Sequence, residues 1–180
     1  EAFMSIPLLD RKEEEYINPY ENGWNERYYI TLLDTRINDK RRKDISMNYL
    51  EGLEWTFKYY TEGCVDWRWT YKYHYPPLLN DLYEYIPYFD TTMICQNSSQ
   101  PVSEYVQLSY VLPGNCLDLL PKHIETLLRE KYSHCYADNY EFCWAFCKYF
   151  WEAHAKIPEI GINELEQLIN TTKNIDLKIN

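Results

Sequence analysis

From Trp67 to Tyr75 every second residue is a tryptophan or a tyrosine, and the run ends in Pro76-Pro77. Adjacent prolines fix φ, remove two N–H donors and push the residue before them out of the helical region. Alternating rings that lead into prolines therefore predict extended backbone over residues 66–77, not helix. Just upstream, Ile45, Tyr49, Leu53, Phe57 and Tyr60 recur at steps of four, four, four and three. That spacing predicts a long amphipathic helix from about Asp39 to Tyr60 with these five side chains as its apolar stripe. Gly63 stands where a left-handed residue would close it. A long helix followed at once by an aromatic strap is the frame that the rest of the chain must accommodate.

The other segments predict a mainly α fold. Residues 1–18 read as an acidic lead-in strap, patternless apart from Ile6-Pro7-Leu8-Leu9, and residues 19–170 as one helical domain with residues 171–180 as its tail. Trp24 to Leu33 has helical spacing after Gly23, and Leu78 to Tyr85 reads as a short helix. Residues 87–102 form a loop, Ser103 is placed to cap a helix through Leu112, and Pro113-Gly114 breaks it. Leu117 to Tyr132 is predicted helical, with Leu120, Ile124, Leu127 and Leu128 on one side. Asn163 and Glu166 resemble a capping box at the start of a helix over Glu164 to Asn170.

Charge and composition exclude several functions. The formal charge is −10 over 180 residues, whereas free-standing nucleic-acid binders rely on basic surface to neutralise phosphate. An acidic chain of this kind suits one wall of a site whose basic wall lies elsewhere. Lys40, Arg41, Arg42 and Lys43 open the long helix, at the end that its dipole disfavours, and read as a solvated run or as a partner for phosphate or a neighbouring acid. Glu13, Glu14 and Glu15 are consecutive, so their carboxylates diverge and do not gather metal. His123, His134, Cys135, Cys143 and Cys147 match no familiar zinc spacing, and the six cysteines show no paired motif, which fits buried thiols in a reducing compartment. No Gly-x-Ser-x-Gly elbow and no phosphate loop is present. The expected catalytic and metal sets within this chain are empty. No run is long and apolar enough to span a membrane, and the expected residence is intracellular, cytoplasmic in preference to nuclear. The two Asn-x-Ser/Thr matches at Asn97 and Asn170 read as chance, and Glu1 in place of methionine suggests excision from a longer polypeptide.

What remains is the aromatic strap. Trp and Tyr combine large apolar area with one polar handle. A presented ring stacks nucleobases, sugars or partner side chains, and base stacking is worth about 1–3 kcal/mol per base. The Trp67-x-Trp69 pair is expected to divide its rings, one packed inward and the other presented; the alternative is that both are core.

At these residues the chain resembles a known family. Asn48-Tyr49-Leu50-Glu51-Gly52-Leu53-Glu54-Trp55, Tyr59-Tyr60 and Gly63, Trp67-x-Trp69, Tyr73-His74-Tyr75-x-Pro77 and Asp81-Leu82 are similar to the signature run of the Xrn/Pacman 5′→3′ exoribonucleases. Gly23-Trp24-Asn25-Glu26-Arg27-Tyr28-Tyr29 resembles an upstream block. Gln107-Leu108, Val111-Leu112-Pro113 and Leu119-Leu120-Pro121, then Trp151-Glu152-Ala153, Ile157-Pro158 and residues 164–169, resemble blocks downstream. Together they cover residues 18–169 in the family's order. Thr70, Lys72 and Pro76 depart from the usual strap, and the blocks after Leu82 are shorter.

The resemblance implies a helical domain with an extended aromatic strap, packed in the family against an α/β nuclease core that this sequence does not contain. It implies processive hydrolysis of RNA with a 5′ monophosphate to mononucleotides, with Mg2+ bound by the N-terminal nuclease segment of the same enzyme and this segment inactive alone. It also implies that one strap tryptophan stacks on the terminal base: Trp69 as first choice, Trp67 as second. Arg68, Tyr73 and His74 become candidates for lining the RNA channel, His74 equally open to a structural hydrogen bond to backbone. The alternative is an Xrn-derived structural or adaptor module without enzymatic activity, for example in a virion or protein complex.

Overall fold

The computed structural model describes residues 11–137 and 139–176, with side chains through Thr171. Ile6-Pro7-Leu8-Leu9 of the lead-in strap and residues 177–180 of the tail lie outside the described residues. The fold is mainly α: α1 Lys12–Ile17, α2 Trp24–Leu33, α3 Asp39–Thr61, α4 Leu79–Glu84, α5 Glu104–Val111, α6 Lys122–Lys131 and α7 Ile162–Asp176, with a two-stranded ribbon of β1 Glu141–Cys143 and β2 His154–Lys156. The chain divides into two units, residues 1–100 with 143–154 and residues 101–142 with 155–180.

In the first unit, α2 buries Tyr28, Tyr29, Leu32 and Leu33 on one face. They pack with Ile17, Ile45, Tyr75, Cys143 and Ala145 into a single apolar core. The turn into α2 is held by Arg27, whose guanidinium donates to the carbonyls of Tyr16, Ile17, Asn18, Glu21 and Asn22. A planar five-donor group suits the carbonyls that a helix end leaves unpaired.

Helix α3 runs for 23 residues, and Asn38 caps it by accepting the Arg41 N–H at 2.9 Å. At its other end Gly63 adopts φ +95° and donates to the Lys58 carbonyl at 3.1 Å, the left-handed closure expected at that glycine. The basic run at its start splits. Arg42 pairs with Asp39 and Asp81, Arg41 donates to the Arg36 carbonyl, and Lys40 and Lys43 are exposed.

The expected stripe on α3 holds only at its beginning. Ile45 is buried and Tyr49 half-buried, but Leu53, Phe57 and Tyr60 are exposed. Each four-residue step overshoots the 3.6-residue turn by about 40°, so three such steps rotate the row by roughly 120° off its starting face. The inward face instead follows Ile45, Asn48, Gly52 and Trp55, in steps of three and four.

The second unit packs Val106, Leu117, Leu120, Ile124, Leu128, Cys135, Ile160, Leu165 and Ile169 into its own core. Here three expectations need correction. The segment expected as one helix over Leu117 to Tyr132 is broken: Gly114–Leu119 is a tight 3-10 turn, Leu120 is extended with ψ 157°, and α6 starts after Pro121. Proline excludes its predecessor from the helical region, a signal present in the sequence. Ser103 precedes α5 but makes no side-chain capping bond. Finally, α7 begins two residues earlier than expected, with Leu165 N–H bonded to the Gly161 carbonyl, so Asn163 lies inside the helix. Neither β1 nor β2 was foreseen; three residues each are too short for a period-two signal.

Candidate nucleic-acid interface

From Trp69 to Pro77 the strap alternates. Trp69, Tyr71, Tyr73, Tyr75 and Pro77 turn inward, while Thr70, Lys72, His74 and Pro76 face solvent. The inward rings find hydroxyl partners along the way. Tyr71 donates to the Tyr75 carbonyl at 2.9 Å, and Tyr75 donates to the Ala145 carbonyl at 3.2 Å. Helix α3 fixes the register of the strap: the buried Asn48 accepts the Lys72 N–H. Tyr28 fixes its exit by donating to the Pro76 carbonyl at 3.0 Å. Burial drives the tyrosine pKa values upward throughout this layer, that of Tyr28 to about 12, so the phenols stay neutral hydrogen-bonding groups.

The strap is not extended at its start. Residues 67–68 form a turn in which the Asp66 carboxylate accepts the Arg68 N–H at 2.8 Å. This turn separates the fates of the two indoles, because side chains two apart on a straight strand would share a face. Trp67 is 54% exposed, and its backbone N–H donates to the Ser99 hydroxyl. Trp69 is half-buried and stacks on Trp55 of α3 with ring centroids 5.9 Å apart and planes at 21°; Trp55 stacks in turn on Tyr59 at 5.3 Å and 10°. Trp55 is itself anchored, donating its indole N–H to the Asp66 carbonyl at 2.9 Å. The result is a column of three parallel rings whose last member is Trp69.

Asp66 organises the surroundings. Its carboxylate also accepts the Ser99 hydroxyl at 2.6 Å and the Asn97 amide at 3.3 Å, and the Asn97 N–H returns to the Val65 carbonyl. The Ser99 and Arg68 donors hold the Asp66 carboxyl below the usual carboxylate range. Glu54 ties down the next stretch, accepting the Met93 N–H and pairing with Lys58, which donates to the Ile94 carbonyl. Burial works against the Glu54 carboxylate, but these donors outweigh it and keep its pKa low. Between the clasped loop and α3 lies a groove of about 470 Å³ lined by Glu51, Asp66, Trp69 and residues 93–98.

Of the five sequence candidates only Trp69 lines this groove. Arg68 donates its Nε–H to the Gln100 carbonyl at 2.8 Å and so braces the loop. Tyr73 is half-buried with its ring 5.5 Å from that of Tyr71, and burial, then the Asp44 charge, raises its pKa. His74 is exposed, its ring 6.4 Å from His154. Sequence reasoning missed Glu51, Asp66, Asn97 and Ser99; the acid directly before Trp-x-Trp was the available clue, since Asp readily forms such side-chain turns.

The electrostatics favour a neutral guest. Glu51 and Asp66 are the charged residues that line the groove, and a phosphate there would meet like charge. Among the described residues no three or more His, Cys, Asp or Glu side chains converge where they would hold a metal ion. Cys135, Cys143 and Cys147 are buried free thiols, and no described helix is long and apolar enough to cross a membrane.

Residues 9–179 match the family described as the Xrn1 helical domain. Among full-length proteins, the chain is 32% identical over 157 residues to "5'-3' exoribonuclease 2" of Saccharomyces cerevisiae, covering 84% of this chain and 15% of that protein. It is 31% identical to "5'-3' exoribonuclease 2" of Gallus gallus, covering 84% of this chain and 16% of the relative. It is 30% identical over 180 residues to "5'-3' exoribonuclease 2 homolog" of Caenorhabditis briggsae, covering 97% of this chain and 18% of the relative. The chain thus spans between 15 and 18% of the length of these relatives. The mainly α fold, the strap and this match agree: the chain belongs to the Xrn1 helical domain family.

Proposed function

We propose that this chain is the helical, channel-lining part of a 5′→3′ exoribonuclease that degrades RNA bearing a 5′ monophosphate to mononucleotides, and that Trp69 stacks on the 5′-terminal base. In this reading the bond-breaking carboxylates, the Mg2+ they bind and the basic pocket for the 5′ phosphate belong to an N-terminal nuclease segment of the same enzyme, and this chain is inactive by itself. The observation that carries the proposal is the Trp69 column at an acidic groove. Trp55 covers one face of the Trp69 indole, a base stacked on the other face would extend the column, and Glu51 and Asp66 would turn the phosphate away from the groove that Trp69 lines. A terminal nucleotide would thus sit base-in and phosphate-out, which suits a basic wall on the opposite side. Relatives named as 5'-3' exoribonucleases support the reaction class.

The test compares this chain with the complete polypeptide that carries it, each mixed with 5′-phosphorylated RNA and magnesium. The chain alone releases no nucleotides and the complete polypeptide degrades the RNA. Trp69→Ala in the complete polypeptide slows release of the first nucleotide by roughly tenfold or more, from the loss of about 1–3 kcal/mol of stacking, with a smaller effect on melting temperature. Collapse of stability with full rate in the remaining folded enzyme would return Trp69 to the core. A second reading, a non-enzymatic adaptor, draws on the exposed Leu53, Phe57 and Tyr60 of α3 and the charge of −10. A complete polypeptide that leaves the RNA intact would favour it.

A further inference from the structure

Gly52 occupies the middle of α3, where glycine is disfavoured against alanine because it leaves more backbone freedom to be lost. Its φ is helical, so no backbone conformation requires it. What requires it is an approach: a Cβ at position 52 would lie 2.7 Å from Cη2 of Trp69 and 3.4 Å from Cζ2. The far edge of the indole thus rests directly on the helix backbone. Trp69 cannot retreat toward Trp55, which stands against it with centroids 5.9 Å apart and is in turn pinned by Asp66 and stacked on Tyr59.

We infer that Gly52 is a positioning residue for Trp69: it is the seat that sets the depth and tilt of the indole against Trp55, and thereby the plane offered to the terminal base. The role of the plane rests on the reading of Trp69 as the base platform, whereas the seating of the indole on Gly52 does not. A methyl group at position 52 lifts the indole edge off the helix and opens the angle between it and Trp55. The helix gains an intrinsically better residue and the column loses its alignment, so propensity and packing act in opposite directions.

The test is a cycle of variants in the complete polypeptide: Gly52→Ala, Trp69→Phe and the double substitution. Phenylalanine lacks the outer indole atoms that meet position 52. Three quantities are read: the near-UV circular dichroism of the stacked indoles, the melting temperature, and the KM and kcat for first-nucleotide release from 5′-phosphorylated RNA. Gly52→Ala alone is expected to diminish the near-UV signal, lower the melting temperature and raise KM roughly tenfold, the scale of one lost base stack, with a lesser change in kcat. In the Trp69→Phe background the same alanine should leave KM unchanged and raise the melting temperature. If Gly52→Ala fails to fold but the double variant folds, the steric coupling is supported. If both fail to fold, or if alanine acts equally in the two backgrounds, Gly52 answers to something other than Trp69 and the inference is overturned. A near-UV and stability coupling that persists while Trp69→Phe and Trp69→Ala leave first-nucleotide release untouched separates the cases: the seat stands, but the base-platform reading and the proposed role of the plane are refuted.

Discussion

The side chain of Asn48, buried on α3, accepts the Lys72 backbone N–H at 3.0 Å and donates to Glu51 at 2.9 Å. One carboxamide thereby fastens the strap to the helix and orients an acid of the groove. Asn48→Ala removes both bonds, and a lost hydrogen bond at a buried site costs about 1–2 kcal/mol. The urea midpoint should fall accordingly with an unchanged denaturant slope. Asn48→Asp should be worse, since it keeps the acceptor but sets a second carboxylate against Glu51.

Tyr29 and Tyr28 offer a graded pair. The Tyr29 hydroxyl donates to Asp81 at 2.5 Å and accepts the Leu78 N–H at 3.1 Å, whereas Tyr28 makes one bond, to the Pro76 carbonyl. Tyr29→Phe strips a partner from Asp81, which keeps Arg42 at 3.5 Å, and should cost about 1–3 kcal/mol; Tyr28→Phe should cost about 1 kcal/mol or less. Thermal unfolding of the two variants checks the order, and equal losses would contradict it.

How much of this was legible depends on the range of the interaction. Helix α2 was readable to the residue and α3 to within one, because helical spacing and, for α3, a closing Gly63 are local signals. The strap was readable from its prolines. The face that α3 buries was not, because a row at i, i+4 looks apolar in sequence yet winds round the helix. The groove was also hidden, since Asp66 meets Asn97 and Ser99 across about thirty residues, and no spacing rule anticipates a contact of that separation. The seat at Gly52 needed coordinates for the same reason.

His154 supplies a pH test. Its ring lies 4.4 Å from that of Tyr75, and burial, then the nearby His74, lowers its pKa below the ordinary imidazole value of about 6.5. The unfolded chain therefore takes up the proton first. Stability should be full above about pH 6.5 and decline as the pH falls through the folded value. Melting temperatures between pH 7.5 and 5 should fall less steeply in His154→Phe than in the parent; parallel curves would assign the decline to other groups.

Gly114 should tolerate nothing larger. It is buried, and a Cβ there would fall on the Tyr136 carbonyl, a backbone atom with no side-chain freedom to yield. Gly114→Ala should destabilise the second unit by about 3 kcal/mol, the upper end of ordinary overpacking. Hydrogen exchange of α6 amides would detect it as local opening, with protection in α2 retained.

Chain order adds a consequence for biosynthesis. Cys143 and Ala145 close the core built on Tyr28, Tyr29 and Ile45, yet they follow residues 101–142, which belong to the other unit. A nascent chain that has released α1 through α4 still lacks the final pieces of their interior. That unit must wait, partly open, while some forty further residues leave the ribosome, so a stop codon at position 143 would cripple the first of the two units as surely as the second.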